Sequence, residues 1–258
     1  VHEERDHNDE LQKREKQWKA GDMDVVAEVD DEQMRVLMGD GRSGVTAWWQ
    51  EVSYGAIEPA GEWLGWVDME GTTSDYLRDG LFILEGGLDT FTASVLDCAG
   101  KAAELTDLSQ YDSLDLFFNS AMVAWFGNRY ELTLGGITQT WGYTWMWASP
   151  QFPGAGLSSA VFAHETGHTY GLDHNKSFAG FLSDWGAMGS QGRCGVPLEL
   201  NCHSVHITAH QKDRLGWIAP ERKAIVLAGS DEVFHLERLA EPGPDGLLLI
   251  EIPVPGNP

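Results

Sequence analysis

The stretch that decides the fold is His164-Glu165-Thr166-Gly167-His168-Thr169-Tyr170-Gly171-Leu172-Asp173-His174. A helix is predicted over about 157–170, and Gly171 ends it because glycine readily takes the left-handed conformation of a helix C′ residue. Residues four apart share a face of a helix, so His164 and His168 can reach one ion. The turn at Gly171 then brings His174 back as a third nitrogen ligand. This spacing predicts a metal site held by three imidazoles.

The ligand set predicts zinc and a catalytic role for it. Imidazole suits zinc, and three protein ligands leave a fourth position for water, as in catalytic rather than structural zinc sites. Glu165 follows the first ligand directly, which places its carboxylate beside the metal without ligating it. We therefore predict that Glu165 acts as a general base towards the water.

The composition of the chain, above all its charge, limits which classes of binding partner are expected. The chain has 258 residues, with 40 acidic against 17 basic residues and a formal charge of −23. This charge argues against nucleic acid or an anionic membrane surface as the main partner. It fits an extracellular protein, and it is compatible either with plain solubility or with structural calcium bound by clustered carboxylates. No apolar run long enough for a membrane span occurs, and no signal peptide opens the sequence, as would also hold for a trimmed secreted chain.

Three cysteines are too few for a disulfide framework. Cys194 and Cys202 are close enough in sequence to close a short loop in an oxidising compartment. Cys98 is predicted to be a small buried residue. No Cys-x-x-Cys pair is present, which argues against a zinc site built from thiols.

The pattern along the chain predicts a mixture of helices and strands. Helices are predicted over about 25–40, 45–52, 87–106 and 207–215. Strands are predicted over 62–67, 114–118, 122–126, 141–147, 224–227, 233–236 and 247–252. Strands that surround a few long helices indicate an α+β or mixed α/β arrangement.

At every fixed position the zinc stretch is similar to the metzincin signature His-Glu-x-x-His-x-x-Gly-x-x-His. Metzincins also have a turn with a methionine beneath the zinc ligands, and Asp184-Trp185-Gly186-Ala187-Met188-Gly189-Ser190 resembles it, with Met188 as that methionine. The resemblance implies an α+β, zincin-like catalytic domain: a twisted mixed sheet with the active-site helix, followed by a less regular C-terminal subdomain.

Two flanking segments resemble the gametolysin and immune-inhibitor-A-like secreted peptidases. They are Trp49-Gln50-Glu51-Val52-Ser53-Tyr54-Gly55 and the helix from His206 that ends in Leu215-Gly216-Trp217. The resemblance implies a secreted zinc endopeptidase, expected to be a monomer, that acts on proteins or peptides. Its catalytic domain would span 41–220, after a charged segment 1–40 that is a prodomain remnant, a linker or an integral helix. A β-rich extension would occupy 221–258, and a longer natural chain could continue it.

The sequence departs from these families in places. Residues 1–24 supply no apolar first strand, and Ser190 stands where some metzincins have a tyrosine that stabilises the oxyanion. Asp173 is an alternative third ligand by the same resemblance. Arg193-Cys194-Gly195-Val196-Pro197 resembles a cysteine-switch peptide, so Cys194 could instead latch the zinc.

Other functions and roles are compatible with the sequence. The chain could be an inactive zinc-bearing module for adhesion or binding, or a peptidase restricted to glycosylated proteins. Three further histidines, His203, His206 and His210, are predicted to be a surface cluster. Trp145 and Trp147 are predicted to be buried rather than to form a carbohydrate platform. A strand within 122–148 is expected to be the edge to which an extended peptide substrate adds.

Overall fold

The computed structural model describes residues 31–39, 44–78, 81–82, 90–118, 126–147, 159–175, 186–189, 205–227 and 229–253. Its helices are α1 (Asp31–Met38), α2 (Gly44–Val52), α3 (Thr73–Tyr76), α4 (Thr90–Leu105), α5 (Ser159–Thr169) and α6 (Ala209–Arg214), with 3₁₀ turns at Leu108–Gln110 and Pro220–Arg222. Its strands are β1 (Leu77–Arg78), β2 (Leu81–Phe82), β3 (Ser113–Phe118), β4 (Phe126–Leu134), β5 (Ile137–Trp147), β6 (Lys223–Ile225) and β7 (Leu249–Glu251).

The largest sheet of the described residues has the order β3-β5-β4. β5 runs parallel to β3 and antiparallel to β4, so the sheet is mixed. Gly135 and Gly136 connect β4 to β5, and both have positive φ, 55° and 80°. Two such residues form the tight hairpin turn whose twist matches the flanking strands. The architecture is therefore α+β with a small mixed sheet.

Side chains of the central strand alternate between the two faces of the sheet, and each face is covered by a helix. On one face Trp141 packs with Ala99 of α4, and Trp145 packs with Val95 of the same helix. On the other face Met146 joins the cluster that contains Phe162 of α5. The period-two pattern of β5 thus places α4 and α5 on opposite sides of the sheet.

Helices α1 and α2 complete the core on the α5 side. Met34 and Leu37 of α1 are fully buried in the same cluster as Trp49 of α2. The Trp49 ring makes edge contacts with Tyr170, at 4.9 Å between ring centroids, and with Trp217, at 6.2 Å. The segment before residue 40 therefore contributes to the core through α1.

The C-terminal part has little regular structure. β6 and β7 form a parallel pair, and 233–236 contributes only a bridge from Leu236 to Leu247. This part is tied to the rest of the molecule by a hydrogen bond from Tyr54 Oη to the Leu239 carbonyl, 2.7 Å, and by an ion pair between Lys223 and Asp213, 2.8 Å. The strand predicted over 233–236 is thus reduced to one bridge.

Most predicted elements occur in the structure, but in addition to 233–236 one further predicted strand does not form. Residues 62–67, predicted to be extended, have no regular secondary structure. Gly65 lies in this segment with φ of +86°, which breaks the extended conformation that a strand requires. Residues 122–125 lie outside the described residues, so only the end of the strand predicted at 122–126 is seen, as the start of β4. No helix of the described residues is long and apolar enough to span a membrane.

Candidate metal centre

Three histidines of the predicted site converge in the structure. His164 and His168 lie one turn apart on α5, and His174 follows the helix end. The Nε2 atom of His174 is 3.1 Å from Nε2 of His168 and 3.1 Å from Nε2 of His164. Among the described residues, this is the group of histidine, cysteine and acidic side chains that could hold a metal ion. The site contains one buried, one half-buried and one exposed histidine, so it is open to solvent on one side.

Hydrogen bonds fix which nitrogen of two rings faces the centre. His164 Nδ1 lies 2.7 Å from the Ala187 carbonyl, and His168 Nδ1 lies 2.7 Å from the Leu172 carbonyl. A carbonyl oxygen only accepts, so each Nδ1 carries the proton and each Nε2 presents a lone pair. A third neutral imidazole can donate to only one of these two lone pairs. The other close contact is then repulsive unless a cation lies between the rings.

The residues present therefore fit a bound zinc ion. Tetrahedral coordination at zinc–nitrogen distances of about 2.0–2.1 Å separates ligand nitrogens by roughly 3.3 Å, near the separations observed. Burial lowers the pKa of His164 to about 4 and also lowers the pKa of His168. Both rings are then neutral at physiological pH, which is the form that ligates a metal. The carbonyl partners at Nδ1 are the usual orienting contacts of metal-bound histidine.

Glu165 lies beside the three rings. Its side chain is 3% exposed and lines the same cavity of about 630 Å³ as His164, His168 and His174. No described residue donates a hydrogen bond to its carboxylate. Burial raises the pKa of Glu165 to about 8, and a nearby divalent cation would lower that pKa by stabilising the charged form. The carboxylate is therefore placed to exchange a proton with a water in the cavity.

Met188 lies directly beneath the motif. It is fully buried, and a Cβ atom added at Gly167 would lie 2.3 Å from its sulfur. The same turn, 186–189, supplies the Ala187 carbonyl that orients His164. Glycine at position 167 thus lets the turn pack against the backbone of α5. Met188 thus packs against α5 at the residue that precedes the second histidine.

The loop that carries the third histidine begins at Gly171. This glycine has φ of +82°, the left-handed conformation predicted for it. The Leu172 amide then bonds back to the Gly167 carbonyl, 3.1 Å, and the Leu172 carbonyl accepts from His168. The reversal of the chain therefore orients the second ligand while it delivers the third.

Helix α6 fixes the same loop from outside. Gln211, 3% exposed, donates from Nε2 to the Asp173 carbonyl, 3.2 Å, and its Oε1 accepts from Asn175 Nδ2, 3.2 Å. The backbone N–H of Asn175 donates to the Met188 carbonyl, 2.7 Å. These contacts bracket His174 on both sides. Neither Gln211 nor Asn175 is predicted from the sequence to belong to the site. Thr208 and Gln211 form a capping pair that marks the start of a helix in the sequence. The contact of Gln211 with residues 173–175 is tertiary, so no local pattern predicts it.

Asp173, the alternative third ligand, is engaged elsewhere. Its carboxylate accepts from Arg214 at 3.0 Å, and it is not part of the group of histidines. His174 is therefore the third ligand that the geometry favours.

Strand β4 forms the opposite wall of the cavity. Phe126, Gly127 and Asn128 line it, and a Cβ atom at Gly127 would lie 2.0 Å from the Glu165 carbonyl. The backbone of β4 consequently contacts α5 at Glu165, the residue predicted to be the general base. β4 is the outer strand in the order β3-β5-β4, so within the described sheet its other edge is not paired.

The remaining predicted positions have varied outcomes. Cys98 is half-buried rather than fully buried, and burial raises its pKa to about 11, which disfavours the reactive thiolate form. His206 pairs with Glu51, 2.8 Å, while His210 is exposed. Trp145 is buried as predicted. Several positions lie outside the described residues: Cys194, Cys202, Ser190, His203 and the side chain of Trp147.

Comparison of the chain with known proteins identifies no relative. No family model, curated protein or solved structure matches the chain. The interpretation of the site consequently depends on its own residues and geometry.

Proposed function

We propose that the protein is a zinc-dependent endopeptidase of the metzincin type, resembling the gametolysin and immune-inhibitor-A-like peptidases, and that it is secreted. The observation that carries the proposal is the convergence of three Nε2 atoms beside the buried Glu165 carboxylate, to which no described residue donates a hydrogen bond. The turn with Met188 beneath α5 supports the metzincin assignment. The acidic charge of the chain fits an extracellular protein.

In this mechanism the chain's own residues move the proton. When bound, zinc supplies a Lewis acid that polarises the peptide carbonyl and makes an attacking water more acidic. Glu165 accepts one proton from that water as its oxygen attacks the carbonyl carbon. The same carboxyl then delivers the proton to the amine nitrogen as the carbon–nitrogen bond breaks. The Ala187 and Leu172 carbonyls keep His164 and His168 in the tautomer that leaves Nε2 free to ligate.

The substrate would lie along β4. An extended peptide can add to the open edge of a sheet through backbone hydrogen bonds. β4 borders the cavity at Gly127 and Asn128, so a peptide on this edge would pass the three histidines. We therefore propose β4 as the substrate-binding edge strand expected within 122–148.

Product analysis tests the activity. Purified protein with one zinc per chain is incubated with a denatured mixture of proteins, and new termini are identified by mass spectrometry. We expect cleavage by the wild type and a loss of about 10²–10⁴-fold in Glu165→Gln, which keeps the shape of the side chain but cannot accept the proton. Glu104→Gln, at an exposed position of α4, is the matched control and should retain activity.

Two results would contradict the mechanism. Cleavage that survives both Glu165→Gln and removal of zinc by a chelator would exclude it. Stoichiometric zinc with no cleavage of any protein would favour the inactive binding module instead. Cleavage of glycoproteins that disappears after enzymatic deglycosylation would favour the peptidase restricted to glycosylated substrates.

A further inference from the structure

A second, larger cavity lies on the other side of α5. It has a volume of about 800 Å³, within the range typical of small-molecule sites. Phe162, Thr166, Thr169 and Tyr170 line it, whereas His164, Glu165 and His168 line the metal cavity. Residues two apart on a helix point roughly 200° apart, so Thr166 faces away from His164. The two cavities thus share α5 as a common wall.

The second cavity combines aromatic and acidic side chains. Trp63 and Trp66 form an edge-to-face pair, 5.4 Å between centroids, and Trp63 contacts Phe117 at 6.3 Å. The charged residues in the described part of its lining are all acidic: Glu62, Asp68, Asp112 and Asp115. No lysine, arginine or histidine is among the described lining residues. Aromatic faces and carboxylates both attract organic cations.

Asp115 is the acidic group that lies inside this cavity rather than at its rim. Asp68 and Asp112 are exposed, and Glu62 accepts hydrogen bonds from Thr106 and Tyr111. Asp115 lies on β3 and is half-buried, and the hydrogen bond that its carboxylate accepts from a described side chain comes from Thr144 Oγ1, 2.7 Å.

No described cation pairs with Asp115, although a buried charge is costly unless it is paired. Burial accordingly raises its pKa to about 6, which leaves it largely ionised at neutral pH. Among the described residues, Asp115 is therefore a carboxylate without a cationic partner in a cavity with aromatic walls.

We propose that this cavity binds a small organic cation, an amine or guanidinium carried on an apolar body, with Asp115 as its counter-ion. The charge complementarity selects a cation over a neutral or anionic ligand. Trp63 and Trp66 supply the apolar and cation–π surface for the body of the ligand. The site is separate from the metal centre, so it stands or falls independently of the peptidase activity.

Matched probes test the proposal on the zinc-loaded full chain. Benzylammonium and benzyl alcohol have the same ring and similar size but differ in charge. Near neutral pH we expect saturable binding of benzylammonium by calorimetry, with a dissociation constant on the order of 1 mM or tighter. Benzyl alcohol should bind roughly tenfold or more weakly, because it lacks the interaction with the carboxylate.

Two variants locate the binding. Asp115→Asn keeps the shape of the side chain and should reduce benzylammonium affinity to that of benzyl alcohol. Trp66→Ala, at a residue 39% exposed, should weaken the binding of both probes. Because this variant leaves Asp115 unchanged, it tests the cavity even if Asp115→Asn does not fold. Asp231→Asn, at an exposed position of the C-terminal part, is the control and should bind benzylammonium like the wild type.

Three outcomes would overturn the proposal. They are equal affinity for the two probes, no binding of benzylammonium at concentrations up to about 10 mM, and unchanged benzylammonium affinity in Asp115→Asn that still binds zinc and unfolds cooperatively.

Discussion

Gln211 shows how one side chain can position a metal ligand that it does not touch. Its amide bonds to the Asp173 carbonyl on one side of His174 and to the Asn175 side chain on the other. Its oxygen also accepts from the Thr208 amide at the start of α6. Because a buried amide without partners is costly, these bonds favour one conformation of the loop. Gln211 is thus a positioning residue for the third histidine.

Removing that amide should weaken metal binding while the three ligands remain. In Gln211→Ala we expect the zinc dissociation constant to rise by about 10–100-fold, as for other groups that orient metal ligands. Competition with a chromophoric chelator measures this constant directly. Gln110→Ala, at an exposed position in another element, should keep wild-type affinity. Equal zinc affinity in Gln211→Ala and the wild type would remove Gln211 from this role.

Asp115 should make stability depend on pH in a definite direction. Its folded-state pKa of about 6 lies above the usual 3.8, with Thr144 and Tyr170 as the groups that face it. The folded state therefore holds the proton more tightly, and stability falls as pH rises from about 4 to about 6. Asp115→Asn should be more stable than the wild type by about 1–3 kcal/mol near pH 7.5. The difference should vanish only below about pH 3, where Asp115 is protonated in both the folded and the unfolded state.

Urea unfolding of both proteins at these two pH values checks the sign. Protonation of histidines at low pH affects the two proteins alike, so it cancels in the comparison. A stabilising effect of Asp115→Asn that is larger at low pH would show that burial does not raise the pKa of Asp115.

At the scale of elements, glycines in β4, in β5 and in α5 itself allow α5 to pack closely against the sheet and against the turn at 186–189. Cβ atoms added at Gly127 of β4 and Gly142 of β5 would lie 2.0 Å and 2.9 Å from atoms of Glu165 and Thr169. Within α5 itself, Gly167 leaves room for Met188. The close approaches at these glycines therefore fix the distance of α5 from the sheet and from the turn below it.

Two glycine-to-alanine changes in helices should have opposite effects. Gly100 is exposed in α4, and a Cβ atom there meets nothing within 4 Å. Gly100→Ala should stabilise the protein by about 0.5–1 kcal/mol through helix propensity. Gly167→Ala gains the same propensity but must displace Met188, so a net loss of about 1–3 kcal/mol is expected. Chemical denaturation measures both, and a stabilised Gly167→Ala would show that Met188 can move at little cost.

The sequence predicted those parts of the site whose geometry is local. The offsets between His164, His168 and Glu165 are set by helix geometry, and Gly171 is a local helix stop. The contact of Gly127 with Glu165 and the reach of Gln211 to Asp173 join residues 38 apart in sequence, so no periodicity encodes them. Residues 62–67 were wrongly predicted to be a strand because their apolar pattern outweighed the left-handed glycine among them.

At the scale of the whole molecule, the candidate metal centre gathers segments that are separate in the chain. α5 supplies two ligands, the loop after it supplies the third, the turn at 186–189 orients the first, and α6 holds the loop. A bound ion would join these segments, because it binds the folded arrangement and not the unfolded chain. Metal occupancy should consequently be visible in global stability.

Removal of zinc should lower the melting temperature of the wild type. Free zinc at 100–1,000 times its dissociation constant contributes about 3–4 kcal/mol, which corresponds to a shift of roughly 5–15 °C for a chain of this size. Differential scanning calorimetry with and without a chelator measures the shift. His174→Ala, which lacks the most exposed ligand, should melt at nearly the same temperature in both conditions. An equal shift in that variant would indicate that zinc acts elsewhere.

The burial of α5 has a practical consequence for altering this protein. Every residue from Ser159 to Gly167 is buried, so the helix has no free side on which substitutions could accumulate harmlessly. A library that aims at new substrates should therefore keep α5 constant. Diversity belongs instead in the walls that face it: positions along β4 for the proposed peptide substrate, and residues 62–69 for the proposed ligand of the second cavity. Because each wall faces a different side of the helix, the two could be varied in separate libraries and the improved versions combined.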